Sequence, residues 1–338
     1  MIEDYTHMQT AHCENGVVTG LLKHQGLDFI TEPLAFGIGS GLLYIHLPFM
    51  KVSGGPAISF RTMPGAIFNR TCKSLKIDLV RKKFKDELKA QQFLDEKIAE
   101  GIPIGCQVGV FHLSYFPKEY RFHFNAHNII VYGKKNETYN ISDPVMESVT
   151  TLTEGELNKV RFAQGVLAPK GHLYYPKSGF SVDNELIRRG IVKGIKRTIN
   201  DMLYIPGRVI GVSGIKYTAN KVKKLRDKLG ERQAGLYLGQ IVRMQEEIGT
   251  GGGGFRFLYA AFLEEASAYL QDDRLISISE QITKAGDLWR SSAVQMAGIY
   301  KGRLTEQKDF NDVTNLMYEI AEVEKYAFKK LAKLKLKY

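Results

Sequence analysis

Three side chains in this sequence have the types needed for acyl chemistry on a thiol: Cys13, His127 and Asp143. A thiolate attacks a carbonyl carbon, an imidazole moves the protons, and a carboxylate fixes which imidazole nitrogen carries the hydrogen. Each residue also has an ordinary reading. A cysteine at a helix start is more often a small buried hydrophobe, a strand histidine a hydrogen-bonded core or rim residue, and an aspartate before proline a turn former.

The surrounding elements must bring the three together. After Ala11-His12-Cys13-Glu14-Asn15-Gly16, the residues Val17, Val18, Leu21 and Leu22 recur on one helical face, and Gly26 stands where a helix should end. Cys13 is therefore expected at a helix N-terminus, where unpaired amide hydrogens favour thiolate over thiol and can hold an oxyanion. His127 to Gly133 and Thr138 to Asp143 read as two strands of a hairpin joined by a polar turn. Folded about Lys135, the hairpin sets His127 opposite Asp143 within a residue or so, and an even register gives them a shared face.

The chain has 338 residues, 44% of them hydrophobic, enough for substantial cores and more readily two domains than one. Cys13, Cys72 and Cys106 are an odd, widely spaced set that forms neither a disulfide framework nor a CxxC pair, and no metal site is expected. No run approaches the roughly 18 apolar residues of a membrane span, and Met1-Ile2-Glu3-Asp4 begins no apolar leader, so a cytoplasmic protein off the membrane is expected. The net charge of +11 is uneven: residues 1–150 carry 16 Lys and Arg against 15 Asp and Glu, the remainder 31 against 21. No zinc finger, RNA-binding signature or helix-turn-helix accompanies this excess, so nucleic acid is not the expected partner. An acidic protein would be steered by the same field, and a solvated basic surface is the plain alternative.

The glycines Gly37, Gly39 and Gly41 lack the strand and helix that frame a dinucleotide site. Glu32, beside the same apolar stretch, must be solvated, paired or functional. Residues 74–99 have helical spacing, and Gly101 to Val110 reads as a strand. His112, Tyr115, Phe116 and Tyr120 follow as candidate pocket aromatics or ordinary sheet packing. Thr153 and Glu156 form a capping box for a helix to about Gln164. A stretch rich in Gly, Pro and Tyr then runs to Ser181, and from Asp183 the period is helical to the end, interrupted near Pro206-Gly207. The expected organisation is α+β: a catalytic α/β domain over 1–150, a connector over 151–182, and an all-α domain over 183–338. Gly253 and Gly254, in the glycine run before a helix near Phe255, offer amides to an anion with Arg256 beside them; a flexible turn is the alternative.

His12-Cys13-Glu14-Asn15-Gly16, Thr31-Glu32-Pro33, Phe36-Gly37-Ile38-Gly39-Ser40-Gly41-Leu42, Gly101-Ile102-Pro103-Ile104, Leu113-Ser114-Tyr115 and the His127 to Pro144 hairpin resemble the amino-terminal domain of the butirosin-biosynthesis acyltransferase family. Gly249-Thr250 through Arg256, Tyr259 and Phe262-Leu263-Glu264-Glu265-Ala266 are similar to the helical domain that accompanies it. The resemblance implies a papain-like fold with a central antiparallel sheet, distantly similar to bacteriocin-processing cysteine peptidases. It also implies an enzyme that moves an acyl group from an acyl carrier protein to a small amine. By matched position Cys13 is the nucleophile, His127 the base and Asp143 its orienter. Papain-like enzymes usually carry an oxyanion-binding glutamine six residues before the cysteine. Here that position is His7, which leaves Gln9 and Glu32 as the oxyanion or pocket candidates. No cofactor is expected beyond a phosphopantetheine-linked donor, whose phosphate would suit Gly253, Gly254 and Arg256. A hydrolase using the same three residues, a non-catalytic scaffold and a homodimer all stay open on sequence.

Overall fold

The computed structural model describes residues 2–52 and 55–337. In chain order the elements are α1 (Cys13–His24), α2 (Glu32–Ile38), β1 (Leu42–Val52), β2 (Gly55–Arg61), α3 (Ala66–Ser74), β3 (Leu79–Lys82), α4 (Glu87–Ala99), β4 (Ile104–Val108), β5 (His127–Lys135), β6 (Thr138–Ser142), β7 (Thr150–Thr153), α5 (Glu154–Arg161) and β8 (Leu173–Pro176), followed by α6 (Asn184–Ile199), α7 (Gly211–Val222), α8 (Leu225–Val242), α9 (Arg256–Leu270), α10 (Arg274–Tyr300) and α11 (Gln307–Lys333). The chain forms two compact units. One takes the residues up to Ala35 and Ile67–Val182; the other takes Phe36–Ala66 and Asp183 to the end. No helix among the described residues is long and apolar enough to cross a membrane.

The first unit is built on a six-stranded sheet of order β3-β8-β4-β5-β6-β7 with antiparallel neighbours throughout. Ile104, Cys106 and Val108 of β4, Ile129 and Val131 of β5, and Tyr139 and Ile141 of β6 point to one core with Leu94 and Ile98 of α4 and Leu157 and Val160 of α5. Alternation along the strands puts these residues on one face. Helix α1 packs on β5, β4 and β8, with Val17, Val18, Leu21 and Leu22 fully buried. Its end is the expected glycine cap: Gly26 has φ +87°, its N–H donates to the Lys23 carbonyl, and Leu27 N–H donates to the Leu22 carbonyl. Its start fits only a glycine at residue 16, because a Cβ there would lie 2.2 Å from Thr10 Oγ1 and 2.3 Å from Pro144 Cβ. The Thr153 and Glu156 capping box is present at α5.

The second unit joins α6 to α11 with the antiparallel hairpin β1–β2. Helix α7 packs on β1 and α8 on β2. Tyr44 of β1 stacks on Trp289 of α10 at 5.8 Å between ring centroids, and Phe60 of β2 meets the same indole edge-on at 5.1 Å. Beneath them lies a fully buried ion pair, Arg256 Nε to Glu324 Oε1 at 2.8 Å and Nη2 to Oε2 at 3.0 Å. The indole Nε1 also donates to that carboxylate at 2.8 Å.

Two parts of the expected organisation change. Residues 151–182 are not a connector, because β7 and α5 belong to the first unit and β8 lies inside the sheet between β3 and β4. Residues 36–66 leave the first domain for the helical unit, because Tyr44 and Phe60 find their aromatic partners on α10. The helical pattern expected from Asp183 is realised as α6 to α11, with the break between α7 and α8 at Lys223-Lys224 and a kink at Gly230 (φ 74°).

Glu324→Gln removes one partner of the buried pair and strands the Arg256 guanidinium. The expected cost is about 3–5 kcal/mol, read as a fall in the urea midpoint. A loss below about 1 kcal/mol would mean the pair is worth no more than an exposed one.

Candidate active site

Cys13 is the first residue of α1 and is 7% exposed. The segment before it is pinned by its backbone. Thr10 N–H donates to the Pro144 carbonyl at 2.7 Å. Ala11 and His12 N–H donate to the two oxygens of Glu32 at 2.9 and 2.8 Å. His12 caps the helix, its Nδ1 accepting from Asn15 N–H at 3.4 Å. Glu14, buried one residue after the thiol, accepts from Ile67 N–H at 3.1 Å in the first turn of α3. Burial raises the Glu32 carboxyl, while the Ala11 and His12 amides oppose the shift. Glu32 therefore fixes the approach to α1, and its two oxygens are committed to that task.

His127 Nε2 lies 2.7 Å from Asp143 Oδ2, and the aspartate is fully buried. Asp143 accepts two further bonds, from Tyr115 Oη to Oδ2 at 2.7 Å and from Val145 N–H to Oδ1 at 3.2 Å. Phe116 meets the imidazole edge-on at 5.5 Å. With Nε2 engaged by Asp143, Nδ1 is the ring nitrogen left over, and Cys13 is close enough to act on the imidazole charge. Burial alone would lower the His127 pKa; Asp143 and Cys13 outweigh it and raise the imidazole from 6.5 to about 10. Burial, with Asp143 adding to it, also drives Tyr115 well above its ordinary range, so the phenol remains a donor.

The pairing of His127 with Asp143 depends on an irregularity. The turn centres on Asn136 and Glu137, with Lys135 paired to Thr138 and Gly133 to Asn140, rather than pivoting on Lys135. Carried down an unbroken ladder, this register would set Asp143 across from Ile130, on the opposite face from His127. Between Val131 and Gly133 the register slips, leaving Tyr132 as an extra residue, and beyond it Val131 pairs with Ile141 and Ile130 with Ser142. Extended by one residue, that register sets Asp143 across from Ile129, two positions from His127 and on its face. The contact is thus diagonal rather than directly opposite. The freed Tyr132 carbonyl accepts from Ile2 N–H at 3.0 Å, and its ring stacks on Tyr5 at 4.7 Å.

One polar side chain near the thiol is not among the residues whose types and spacing point to chemistry. Asn128 Nδ2 lies 3.9 Å from Cys13 Sγ and donates to the Ala126 carbonyl at 3.1 Å, while Oδ1 accepts from Tyr174 Oη at 2.8 Å. Its signal was slight, a single amide at the head of the apolar run Ile129-Ile130-Val131. His7 turns away: its Nδ1 pairs with Ser142 Oγ at 2.7 Å and its Nε2 with the Met146 carbonyl at 3.1 Å. Gln9 is exposed.

The anion site expected at the glycine run is not formed. Gly253 N–H already donates to Glu246, at 3.1 and 3.3 Å to its two oxygens. Arg256 is closed off by Glu324 and by the Gly254 carbonyl, which accepts from Nη1 at 2.7 Å. The protein's own carboxylates take the places a phosphate would need. The helical unit holds a different cavity, of about 600 Å³, whose lining includes His46, Lys51, Lys221, Tyr237 and Arg243. There the Thr218 hydroxyl donates to the Gly214 carbonyl, so Tyr44 Oη and His46 Nδ1 both donate to it at 2.7 Å, and Tyr237 Oη donates to His46 Nε2 at 2.9 Å. Burial, aided by the Lys221 charge, lowers His46 to about 4 and keeps it neutral.

Residues 12–144 match the model of the butirosin biosynthesis protein H amino-terminal domain. Residues 155–331, just over half of the chain, match that of a domain of unknown function, DUF4872. No curated protein matches the chain. A crystal structure described as that of a C39-like peptidase from Bacillus anthracis aligns over 53% of this chain and 96% of its own, with 14% identity and a TM-score of 0.37.

The His127 charge contributes fully to folding below its ordinary pKa of 6.5 and is lost as pH rises through about 10. Asp143→Asn leaves only Cys13 to oppose burial, so the His127 titration followed by NMR should fall well below about 10. A titration still near 10 in that variant would remove Asp143 as the source of the shift.

Proposed function

The chain belongs to the DUF4872 family and carries, ahead of that domain, a match to the butirosin biosynthesis protein H amino-terminal domain, and from that premise we propose that it is a cysteine-dependent acyltransferase. It takes an acyl group from a carrier-bound thioester and gives it to an amine through an acyl-Cys13 intermediate. The observation that carries this reading is the buried Asp143–His127 pair beside a thiol at the first residue of a helix.

In the first half-reaction Cys13 Sγ, as thiolate, forms a bond to the thioester carbonyl carbon, and the carbonyl electrons move onto oxygen. When the carbonyl re-forms, the C–S bond to the carrier breaks, and the leaving thiol takes the proton from the His127 imidazolium. In the second, neutral His127 accepts a proton from the amine as its nitrogen attacks acyl-Cys13. Collapse expels the Cys13 thiolate and leaves an amide. Asp143 holds Nε2 throughout, so the other ring nitrogen faces the reacting atoms in both halves. A carrier protein is acidic in the usual case, and the excess of Lys and Arg beyond residue 150 is of the sign that would attract one. The phosphopantetheine arm is part of that substrate.

The test is intact-protein mass spectrometry after exposure to a panel of acyl thioesters, with Cys13→Ala as control and an amine chase. A covalent adduct absent from Cys13→Ala and discharged faster by amine than by buffer is the expected result. Discharge by water alone would make the protein a hydrolase. No adduct with any donor, together with Cys13 alkylation no faster than that of an ordinary thiol, would overturn the enzymatic reading.

A further inference from the structure

Acyl transfer at Cys13 places negative charge on an oxygen one carbon away from Sγ, and a donor there is worth about 10²–10³ in rate. One donor is built in: the Cys13 N–H belongs to the first helical turn, which has no intrahelical acceptor for it. A second is missing from its usual place, since both nitrogens of His7 are engaged elsewhere, Gln9 is exposed, and Glu32 has only acceptor oxygens to offer.

We propose that Asn128 supplies the side-chain half of the oxyanion hole, its Nδ2 donating to the carbonyl oxygen of the acyl group on Cys13. This inference rests on the acyl-enzyme reading above. Nδ2 is 3.9 Å from Sγ. An oxygen bonded to the carbon that Sγ attacks can enter the space between them, where a donor at about 2.7–3.1 Å is effective. The amide carries two hydrogens. One is used by the Ala126 carbonyl, and the other is directed to the sulfur side. The orientation is fixed by Tyr174, which lies fully inside the unit and keeps its phenolic proton because burial raises its pKa well above the ordinary value. That hydroxyl donates to Oδ1. Turning the amide over would set Oδ1 against the Ala126 carbonyl, two acceptors facing each other.

During attack the Sγ–C bond forms, the carbonyl electron pair moves to oxygen, and Asn128 and the Cys13 N–H each donate a hydrogen bond to it. Asn128 transfers no proton. Its place next to His127 on β5 means that one short backbone segment carries both the proton-moving group and the charge-stabilising one. Adjacent strand residues point to opposite faces, and both reach the thiol here because they sit at the first residues of the strand, beside the start of α1.

Two reagents separate this role from a merely structural one. Thioester acylation builds an oxyanion, whereas alkylation by iodoacetamide displaces iodide at a saturated carbon and builds none. In Asn128→Ala, acylation of Cys13 by a thioester should slow by about 10²–10³-fold, while alkylation, which loses only the long 3.9 Å amide–sulfur contact, should change far less. Asn128→Gln, which keeps an amide, should recover part of the acylation rate. Tyr174→Phe, which only unlocks the amide, should show a smaller loss confined to acylation, and it tests the idea if Asn128→Ala does not fold. Equal acylation rates in wild type and Asn128→Ala would overturn the proposal, as would a parallel fall in both reactions. A wild-type protein that forms no acyl adduct would instead overturn the acyl-enzyme reading itself.

Discussion

A carboxylate with no access to water must have every charge-bearing oxygen met by the protein, and Asp143 is such a group. Its three donors, His127, Tyr115 and Val145, come from β5, from the stretch after β4 and from the turn beyond β6. The short segment around it also positions the stretch that carries the Cys13 thiol. Ser142 meets Tyr5 and His7, the Pro144 carbonyl takes the Thr10 N–H, the Pro144 ring occupies the space left by Gly16, and the Met146 carbonyl receives His7. Residues 142–146 thus clasp residues 5–16. The position of the acid and the position of the thiol are set by one piece of chain, so their spacing does not depend on long flexible side chains finding each other.

The second unit solves the same problem with the opposite emphasis. Arg256 and Glu324 neutralise each other in a dry interior, roofed by Trp289 and Phe60, and leave no charge over for a ligand. A buried pair of this kind gives little net stability compared with apolar residues of the same size, but it penalises any packing in which either member lacks its partner. The glycine run before α9 has a related purpose. Gly252, Gly253 and Gly254 all adopt positive φ, and a Cβ at residue 254 would come within 2.4 Å of the Phe60 ring. The run lets the backbone close on the hairpin and deliver Arg256 to the interior.

What the sequence disclosed was local. The apolar spacing of α1, its glycine cap, the capping box of α5 and the helical periods beyond Asp183 involve residues within a few positions of one another, where propensity and spacing act directly. The hairpin was readable for the same reason, though its phase was not. The extra residue Tyr132 is stabilised by Ile2 and Tyr5, which lie far away in sequence. The place of β8 between β3 and β4, the departure of residues 36–66 to the helical unit, and the Arg256–Glu324 pair are likewise long-range pairings that no window of neighbouring residues contains. Asn128 escaped notice because an amide on a strand has no distinctive spacing; its meaning comes from Sγ, Tyr174 and the Ala126 carbonyl together.

The threading of the two units bears on how the chain is made. Strand β8 is last in sequence among the strands but interior in the sheet, so the first unit cannot complete its hydrogen-bond ladder until Pro176 has left the ribosome. The hairpin β1–β2 emerges much earlier and waits, Tyr44 and Phe60 still without the Trp289 indole, for α7, α8 and α10 to be translated. Nascent chains of both units therefore present open strand edges and apolar faces for most of synthesis, the condition under which aggregation competes with folding. A break after residue 150 would reproduce that unfinished state permanently, because it separates β3 and β4 from the strand that joins them and strands the hairpin from its helices.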